Sequence, residues 1–72
     1  MPGKPATVTD HLQIAQDHAA AFNQEYDWKE VGETVLASAV HEYVRMNSPR
    51  GTSSDDIRRI ADLTVTELEK LR

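Results

Sequence analysis

The sequence predicts an all-α domain, a small three-helix bundle, and three observations support this prediction. Apolar residues recur every three or four positions in three separate stretches of the 72-residue chain, which is the spacing of one face of an α-helix. Residues that favour helix N-caps precede each stretch. The segment 47–52 contains Pro49 and Gly51, so it separates the second stretch from the third. A chain of this length forms one domain with a small core.

The lack of cysteine and of long apolar runs narrows the class of protein. Without cysteine the chain has neither a disulfide framework nor a thiolate zinc site, which favours a reducing compartment. Residues 1–6 contain Pro2, Gly3 and Pro5 and are predicted to form a disordered tail rather than a signal peptide. No apolar run approaches the length of a membrane span, so no membrane partner is expected. We therefore expect a cytoplasmic protein whose single helical domain occupies residues 7–72.

Acidic residues concentrate in the first two thirds of the chain, which has a net charge of −4 at pH 7. Residues 1–44 carry two lysines against seven carboxylates, whereas residues 45–72 carry six basic and five acidic side chains. An acidic chain is repelled by phosphate unless its basic groups gather on one surface. Any contact with a nucleic acid would therefore have to come from the C-terminal third.

The first helix is predicted to begin near Thr7 or Thr9 and to run to about Gln24. Thr7 followed by Asp10 resembles a capping pair, and an acidic residue in the first turn complements the helix dipole. Its apolar positions alternate steps of four and three residues, which is typical of a helix packed nearly parallel or antiparallel to another. These positions are Val8, Leu12, Ala15, Ala19, Phe22 and Tyr26.

The stretch 28–46 is predicted to be the second and central helix. Asp27 is a good N-cap, and Glu30 completes a capping box with it. Gly32 would lie inside this helix, either at a close helix crossing or as a tolerated surface glycine. The apolar face has two rows: Trp28, Val31, Val35, Ala39 and Tyr43 in one, and Leu36, Val40 and Val44 in the other. So wide a face has to be covered by two neighbouring elements or by a partner chain.

The third helical stretch runs from about Ser54 to Leu71, and the sequence leaves its continuity open. One alternative is a single helix in which the Thr64 hydroxyl bonds back to its own turn. The other is a break near Leu63 into two short helices. Three consecutive β-branched residues begin at Thr64, and Thr64 forms a second capping box with Glu67.

In the broken alternative, residues 56–71 resemble the helix-turn-helix of bacterial repressors of the lac repressor type. The matching positions are Ile57, Ile60 and Ala61 in the first helix, Leu63 in the turn, Thr64 at the cap, and Leu68 and Leu71 in the second helix. The resemblance implies a helix that contacts DNA bases in the major groove. Its outward residues would be Val65, Thr66, Glu67 and Lys70, and the DNA-contact candidates of the whole segment are Arg58, Arg59, Val65, Thr66, Lys70 and Arg72.

The polar side chains form no recognisable catalytic, metal or cofactor site. His11 and His18 are seven residues apart on the first helix, roughly 10 Å along its axis, which is too far for both to bind one metal ion. His41 and Glu42 are adjacent and therefore point in different directions on a helix, so they do not form a base and its orienting partner. We expect a protein that is not an enzyme and that uses neither a cofactor nor a small-molecule substrate.

Four aromatic residues lie near the junction of the first two predicted helices: Phe22, Tyr26, Trp28 and Tyr43. They are predicted to pack together as a cap on the core at one end of the bundle. If Trp28 instead stays partly exposed, the same residues become candidates for a protein interface, because such sites favour tryptophan and tyrosine.

These features predict a non-catalytic regulatory or adaptor module that binds a protein partner or itself, as a homo-oligomer, through the apolar excess of the central helix. The alternative is a helix-turn-helix DNA-binding transcriptional regulator that uses residues 54–72. The two functions differ in salt dependence, because counterion release makes DNA binding weaken steeply as salt rises.

Overall fold

Three α-helices make up the part of the chain that the structure, a computed structural model, describes, which is residues 8–72. They are α1 (Val8–Glu25), α2 (Glu33–Asn47) and α3 (Ser54–Glu69). No strand occurs within residues 8–72, and the predicted all-α three-helix bundle is confirmed. The bundle has extents of 41 × 18 × 18 Å. The predicted tail and the cap at Thr7 lie outside the described residues.

α3 is the central helix, because it packs closely against both α1 and α2. The backbones of α1 and α2 approach each other much less closely. The prediction that the second helix would be central is therefore wrong. The reason lies in α3, whose buried side chains form two adjacent rows that need cover from two directions. These residues are Ile60 and Thr64 in one row and Ala61 and Leu68 in the other.

The core joins side chains from all three helices and from the loop between α1 and α2. Leu36, Val40 and Val44 of α2 are almost completely buried, and each such side chain stabilises the fold by about 1.5–3 kcal/mol. Ala15 and Ala19 of α1 are also buried, and their small size lets α1 approach α3 closely. The full set of buried apolar residues is Ala15, Ala19, Phe22, Trp28, Leu36, Val40, Val44, Ile60, Ala61 and Leu68.

α2 begins at Glu33 rather than at Trp28, so the predicted Asp27 cap is wrong. Trp28 lies in the preceding loop, where the Val31 N–H donates to the Trp28 carbonyl oxygen over 3.0 Å. The loop places the Trp28 side chain in the core, where it is 2% exposed. Burial of a tryptophan contributes more to stability than the about 1 kcal/mol of an N-cap, so the side chain decides where the helix starts.

Two glycines have separate roles in the connections. Gly32 is the N-cap of α2, with φ −70° and ψ 162°, and its carbonyl oxygen accepts from the Leu36 N–H over 2.9 Å. A Cβ atom at Gly32 would meet none of the described residues within 4 Å, so the predicted helix crossing is wrong. Gly51 has a φ of 93° in the loop before α3, which is the positive φ that the break in the sequence indicated.

α3 is a single unbroken helix. The Thr64 hydroxyl donates to the Ile60 carbonyl oxygen over 2.7 Å on the buried face, and the Thr66 hydroxyl donates to the Asp62 carbonyl oxygen over 3.1 Å. Both hydroxyl groups are therefore bonded within the helix, so the β-branched residues do not end it. Of the two alternatives that the sequence left open, the structure contains the single helix, without a break near Leu63.

Candidate functional site

The side of α2 that points away from the core exposes apolar and small side chains. We define the outer face of α2 as Val35, Ser38, Ala39, Glu42 and Met46, which are all exposed. Their spacing places them on one side of the helix. Val35 is 57% exposed and Met46 is 70% exposed, so solvent reaches most of both apolar side chains.

The two apolar rows predicted for α2 have different surroundings. The row of Leu36, Val40 and Val44 is buried in the core. The other row is divided: Trp28 is buried and Tyr43 is half-buried, whereas Val35 and Ala39 are exposed. An apolar face needs either a neighbouring element or a partner chain to cover it, and the described part of the fold leaves Val35 and Ala39 uncovered.

Charge on the outer face of α2 is confined to its C-terminal half. The Arg45 guanidinium donates to the Glu42 carboxylate, with Nε 3.2 Å from Oε1 and with a second bond from Nη2 to Oε2. This hydrogen bonding lowers the pKa of Glu42 and raises the pKa of Arg45. Both side chains are exposed, so the pair stabilises the fold little, but it balances the charge of Glu42. The half of the face that contains Val35 and Ala39 is uncharged.

Three of the four aromatic interface candidates form one cluster between α1 and α2. The ring centroids of Phe22 and Tyr26 are 4.7 Å apart, and Tyr43 lies 5.5 Å from Phe22 and 6.1 Å from Tyr26. His18 joins them with its ring edge-on to Tyr43 at 5.7 Å. Phe22 is buried and Tyr43 is half-buried, whereas Tyr26 is 50% exposed. Tyr26 is therefore the candidate that a partner can reach.

Burial changes the titration of two residues in this cluster. It raises the pKa of the Tyr43 hydroxyl, and the charge of Glu25 raises it further. It also lowers the pKa of His18, against the smaller opposite effect of Asp17. Both shifts favour the uncharged side chain, so the cluster offers aromatic surface rather than charge.

Trp28, the fourth candidate, belongs to the core instead of this cluster. It is 2% exposed, and its Nε1 donates to the Asn23 side-chain oxygen over 2.9 Å. No ring contact within the described residues joins it to the other three aromatic candidates, so the predicted four-member cap is wrong for Trp28. Trp28 was a candidate for a protein interface only if it stayed partly exposed, and it is buried.

The DNA-contact candidates have different surroundings. Val65 packs against the core, and Lys70 pairs with Glu67 over 3.1 Å. Arg72 lies over the ring of Trp28. The other candidates, Arg58, Arg59 and Thr66, are exposed. Because α3 is unbroken, it also lacks the turn between two helices that the repressor resemblance implies.

Residues 8–72 contain neither a metal site nor a membrane span. No three His, Asp or Glu side chains in this range are grouped so that they could hold a metal ion. None of the helices in this range is long and apolar enough to cross a membrane.

Sequence reasoning missed the exposure of Val35 and did not single out Met46. Val35 and Leu36 are neighbours in the first turn of α2, and only Leu36 points into the core. Gly32 was the signal in the sequence for a later start of α2, because glycine is also a favoured N-cap residue.

Comparison of the chain with protein-family models, with curated proteins and with solved structures found no match. The function is therefore inferred from the geometry of the described residues.

Proposed function

We propose that this protein is a small, non-catalytic regulatory or adaptor module that binds a protein partner, or a second copy of itself, through the outer face of α2. The observation that carries the proposal is the exposure of Val35 (57%) and Met46 (70%) on a helix whose opposite side is in the core. Burying apolar surface stabilises a complex by roughly 25 cal/mol per Å², before the loss of translational and rotational freedom is subtracted.

The arrangement of the outer face favours a helix as the docking element. Ser38 and Ala39 lie between the larger Val35 and Met46, so a partner helix can approach the middle of the face closely. Tyr26, which is 50% exposed, belongs to the aromatic cluster between α1 and α2 and adds aromatic surface of the kind that interfaces favour. A face of one helix is smaller than the about 800 Å² per partner of a standard interface, so we expect a reversible complex.

The charge distribution sets further conditions on the partner. The uncharged half of the face can be desolvated without burying an ionic group. The chain as a whole has a net charge of −4, so two copies repel each other, and self-association should strengthen as salt rises. A basic partner should instead bind more weakly at high salt. Salt dependence therefore distinguishes a second copy from a basic partner.

The test compares substitutions on the outer face with a matched control. Val35→Glu and Ala39→Glu place a carboxylate on the outer face, whereas Ala20→Glu makes the same change at an exposed position of α1. Circular dichroism checks that all three variants remain folded. Sedimentation velocity over a range of concentrations reports self-association, and capture on immobilised protein reports another partner.

We expect the wild type and the Ala20→Glu variant to bind equally and the two outer-face variants to lose binding. One introduced carboxylate that must be desolvated should weaken the complex at least tenfold, which corresponds to about 1.4 kcal/mol. Equal binding by all four proteins would show that the outer face is not the interface. A wild type that stays monomeric and captures no protein would overturn the proposal.

A further inference from the structure

A cleft with a volume of about 720 Å³ lies between α1 and the loop that joins α2 to α3. Ile14 and Ile60 give it an apolar lining, and Pro49 extends this lining along the loop. The first turn of α3 also borders the cleft through Ser53 and Asp56. The cleft is separate from the outer face of α2, since no residue of that face lines it.

His11 is a buried polar residue in the wall of this cleft. It is 5% exposed, and its Nδ1 has no hydrogen-bond partner among the described residues. Its Nε2 lies 3.6 Å from Oδ1 of Asp56. Because a carboxylate accepts hydrogen bonds, Asp56 favours the imidazole tautomer with its proton on Nε2, and Nδ1 of that tautomer is a lone-pair acceptor. A buried acceptor without a donor is unfavourable, but Nδ1 is covered by protein atoms, so the group that a ligand can reach here is the Asp56 carboxylate.

Two of the hydroxyl groups that line the cleft have already used their protons. Ser48 Oγ donates to the Val44 carbonyl oxygen over 2.6 Å, and Thr52 Oγ1 donates to the Pro49 carbonyl oxygen over 2.6 Å. Each hydroxyl oxygen therefore keeps lone pairs that can accept but has no proton left to donate. Together with the Asp56 carboxylate, these two hydroxyl oxygens give the lining of the cleft several acceptors.

We propose that this cleft binds a primary ammonium group carried on a short alkyl chain. An ammonium group has three donors and no acceptor, which matches an acceptor-rich lining and the negative charge of Asp56. The alkyl chain would lie against Ile14 and Ile60. A metal ion fits less well, because no three ligating side chains of the described residues are grouped here.

Two other side chains of the lining bear on the charge of the ligand. His18 stays uncharged near neutral pH, because burial lowers its pKa, so it does not repel a cation. Arg50 lines the loop side of the cleft and does repel a cation. Arg50 is exposed, so solvent screens this repulsion. Removing Arg50 should therefore strengthen the binding of an ammonium and weaken the binding of a carboxylate.

The experiment is a titration of the ¹⁵N-labelled full chain with n-pentylammonium near neutral pH, followed by amide chemical shifts. n-Pentanol and n-pentanoate have the same alkyl chain with a neutral or a negative head group. We expect a dissociation constant on the order of 1 mM for n-pentylammonium, because so small a ligand makes few contacts. The shifts should concentrate at Gly51, Thr52 and Ile60, and the two control compounds should bind more weakly.

Three substitutions test the recognition of charge. Asp56→Asn should weaken n-pentylammonium binding about threefold to fivefold, as expected for a partly exposed ion pair. Asp55→Asn is the matched control, because Asp55 is also acidic and in the first turn of α3 but does not line the cleft. Arg50→Ala should tighten n-pentylammonium binding.

The proposal is overturned if n-pentanol binds as well as n-pentylammonium, since the apolar chain alone would then explain binding. It is also overturned if Asp55→Asn and Asp56→Asn have equal effects, or if Arg50→Ala weakens binding. None of these results would change the proposed function, because the outer face of α2 takes no part in the cleft.

Discussion

The Arg72 guanidinium lies over the indole ring of Trp28, with Cζ 5.2 Å from the ring centroid. Its Nη1 donates to the Lys29 carbonyl oxygen over 2.8 Å, and its Nε donates to the Glu69 carboxylate over 3.1 Å. Arg72 therefore connects the end of α3 to the loop before α2. Through Trp28, this contact supports the loop that determines where α2 begins.

Arg72→Ala should lower the free energy of unfolding by about 1 kcal/mol, because it removes a cation–π contact and a hydrogen bond to the loop. Urea denaturation followed by Trp28 fluorescence measures this change. Arg59→Ala, on an exposed arginine within α3, serves as the control and should change stability by less than about 0.5 kcal/mol. Equal effects of the two substitutions would mean that Arg72 does not support the loop.

Three helices and most of the core could be predicted from the sequence, because their apolar residues repeat with the period of a helix. The rows of Leu36 with Val40 and of Ala61 with Leu68 are buried as this period indicates. The start of α2 could not be predicted from local signals. Asp27 is a good cap by itself, but Trp28 is held in the loop by contacts with Asn23 and Arg72. Neither residue belongs to α2, and Arg72 is distant from Trp28 in the sequence.

The central position of α3 and the outer face of α2 depend on how the helices are arranged in space. A periodic pattern shows which side of a helix is apolar, but not how many neighbours cover it. Val35 and Val40 look alike in the sequence, yet one is exposed and the other is buried. The cleft beside His11 could not be predicted from the sequence either, because it forms only where α1 meets the loop before α3.

The continuity of α3 predicts uninterrupted helical backbone chemical shifts over residues 60–68. Thr64→Val keeps the shape and removes the hydroxyl that donates to Ile60. The Ile60 carbonyl oxygen keeps its helical N–H donor, so we expect the free energy of unfolding to change by less than about 1 kcal/mol. Non-helical shifts at Leu63 and Thr64 in the wild type would contradict the single helix and favour a helix-turn-helix.

The lowered pKa of His18 predicts a loss of stability in acid. Burial disfavours the charged imidazole in the folded state, so the unfolded state binds more protons between the folded-state pKa and the ordinary value of 6.5. The stability contribution of neutral His18 is thus present above pH 6.5 and is lost as the pH falls through the folded-state pKa.

Urea midpoints measured at a series of pH values test this dependence. His18→Gln should flatten the acid side of the profile, whereas His41→Gln, at an exposed position of α2, should leave it unchanged. If the profile of His18→Gln matched that of the wild type, burial of His18 would not be the source of the pH dependence.

The net charge of −4 and the unbroken α3 predict little affinity for duplex DNA. Fluorescence anisotropy of a labelled duplex at two salt concentrations measures it. The triple substitution Arg58→Glu, Arg59→Glu and Lys70→Glu should leave protein binding through the outer face unchanged, because none of these residues belongs to that face. Tight DNA binding by the wild type that falls steeply with salt and disappears in the triple variant would instead support the DNA-binding alternative.

In-cell photo-crosslinking tests the central claim, that the outer face of α2 is an interaction surface, most directly. A photoreactive phenylalanine analogue at position 35 is compared with the same analogue at position 20, which is exposed on α1. We predict a discrete crosslinked product from position 35, either a pair of the 8.1 kDa chains or a complex with another protein, and none from position 20. No product from position 35, or the same products from both positions, would contradict the claim.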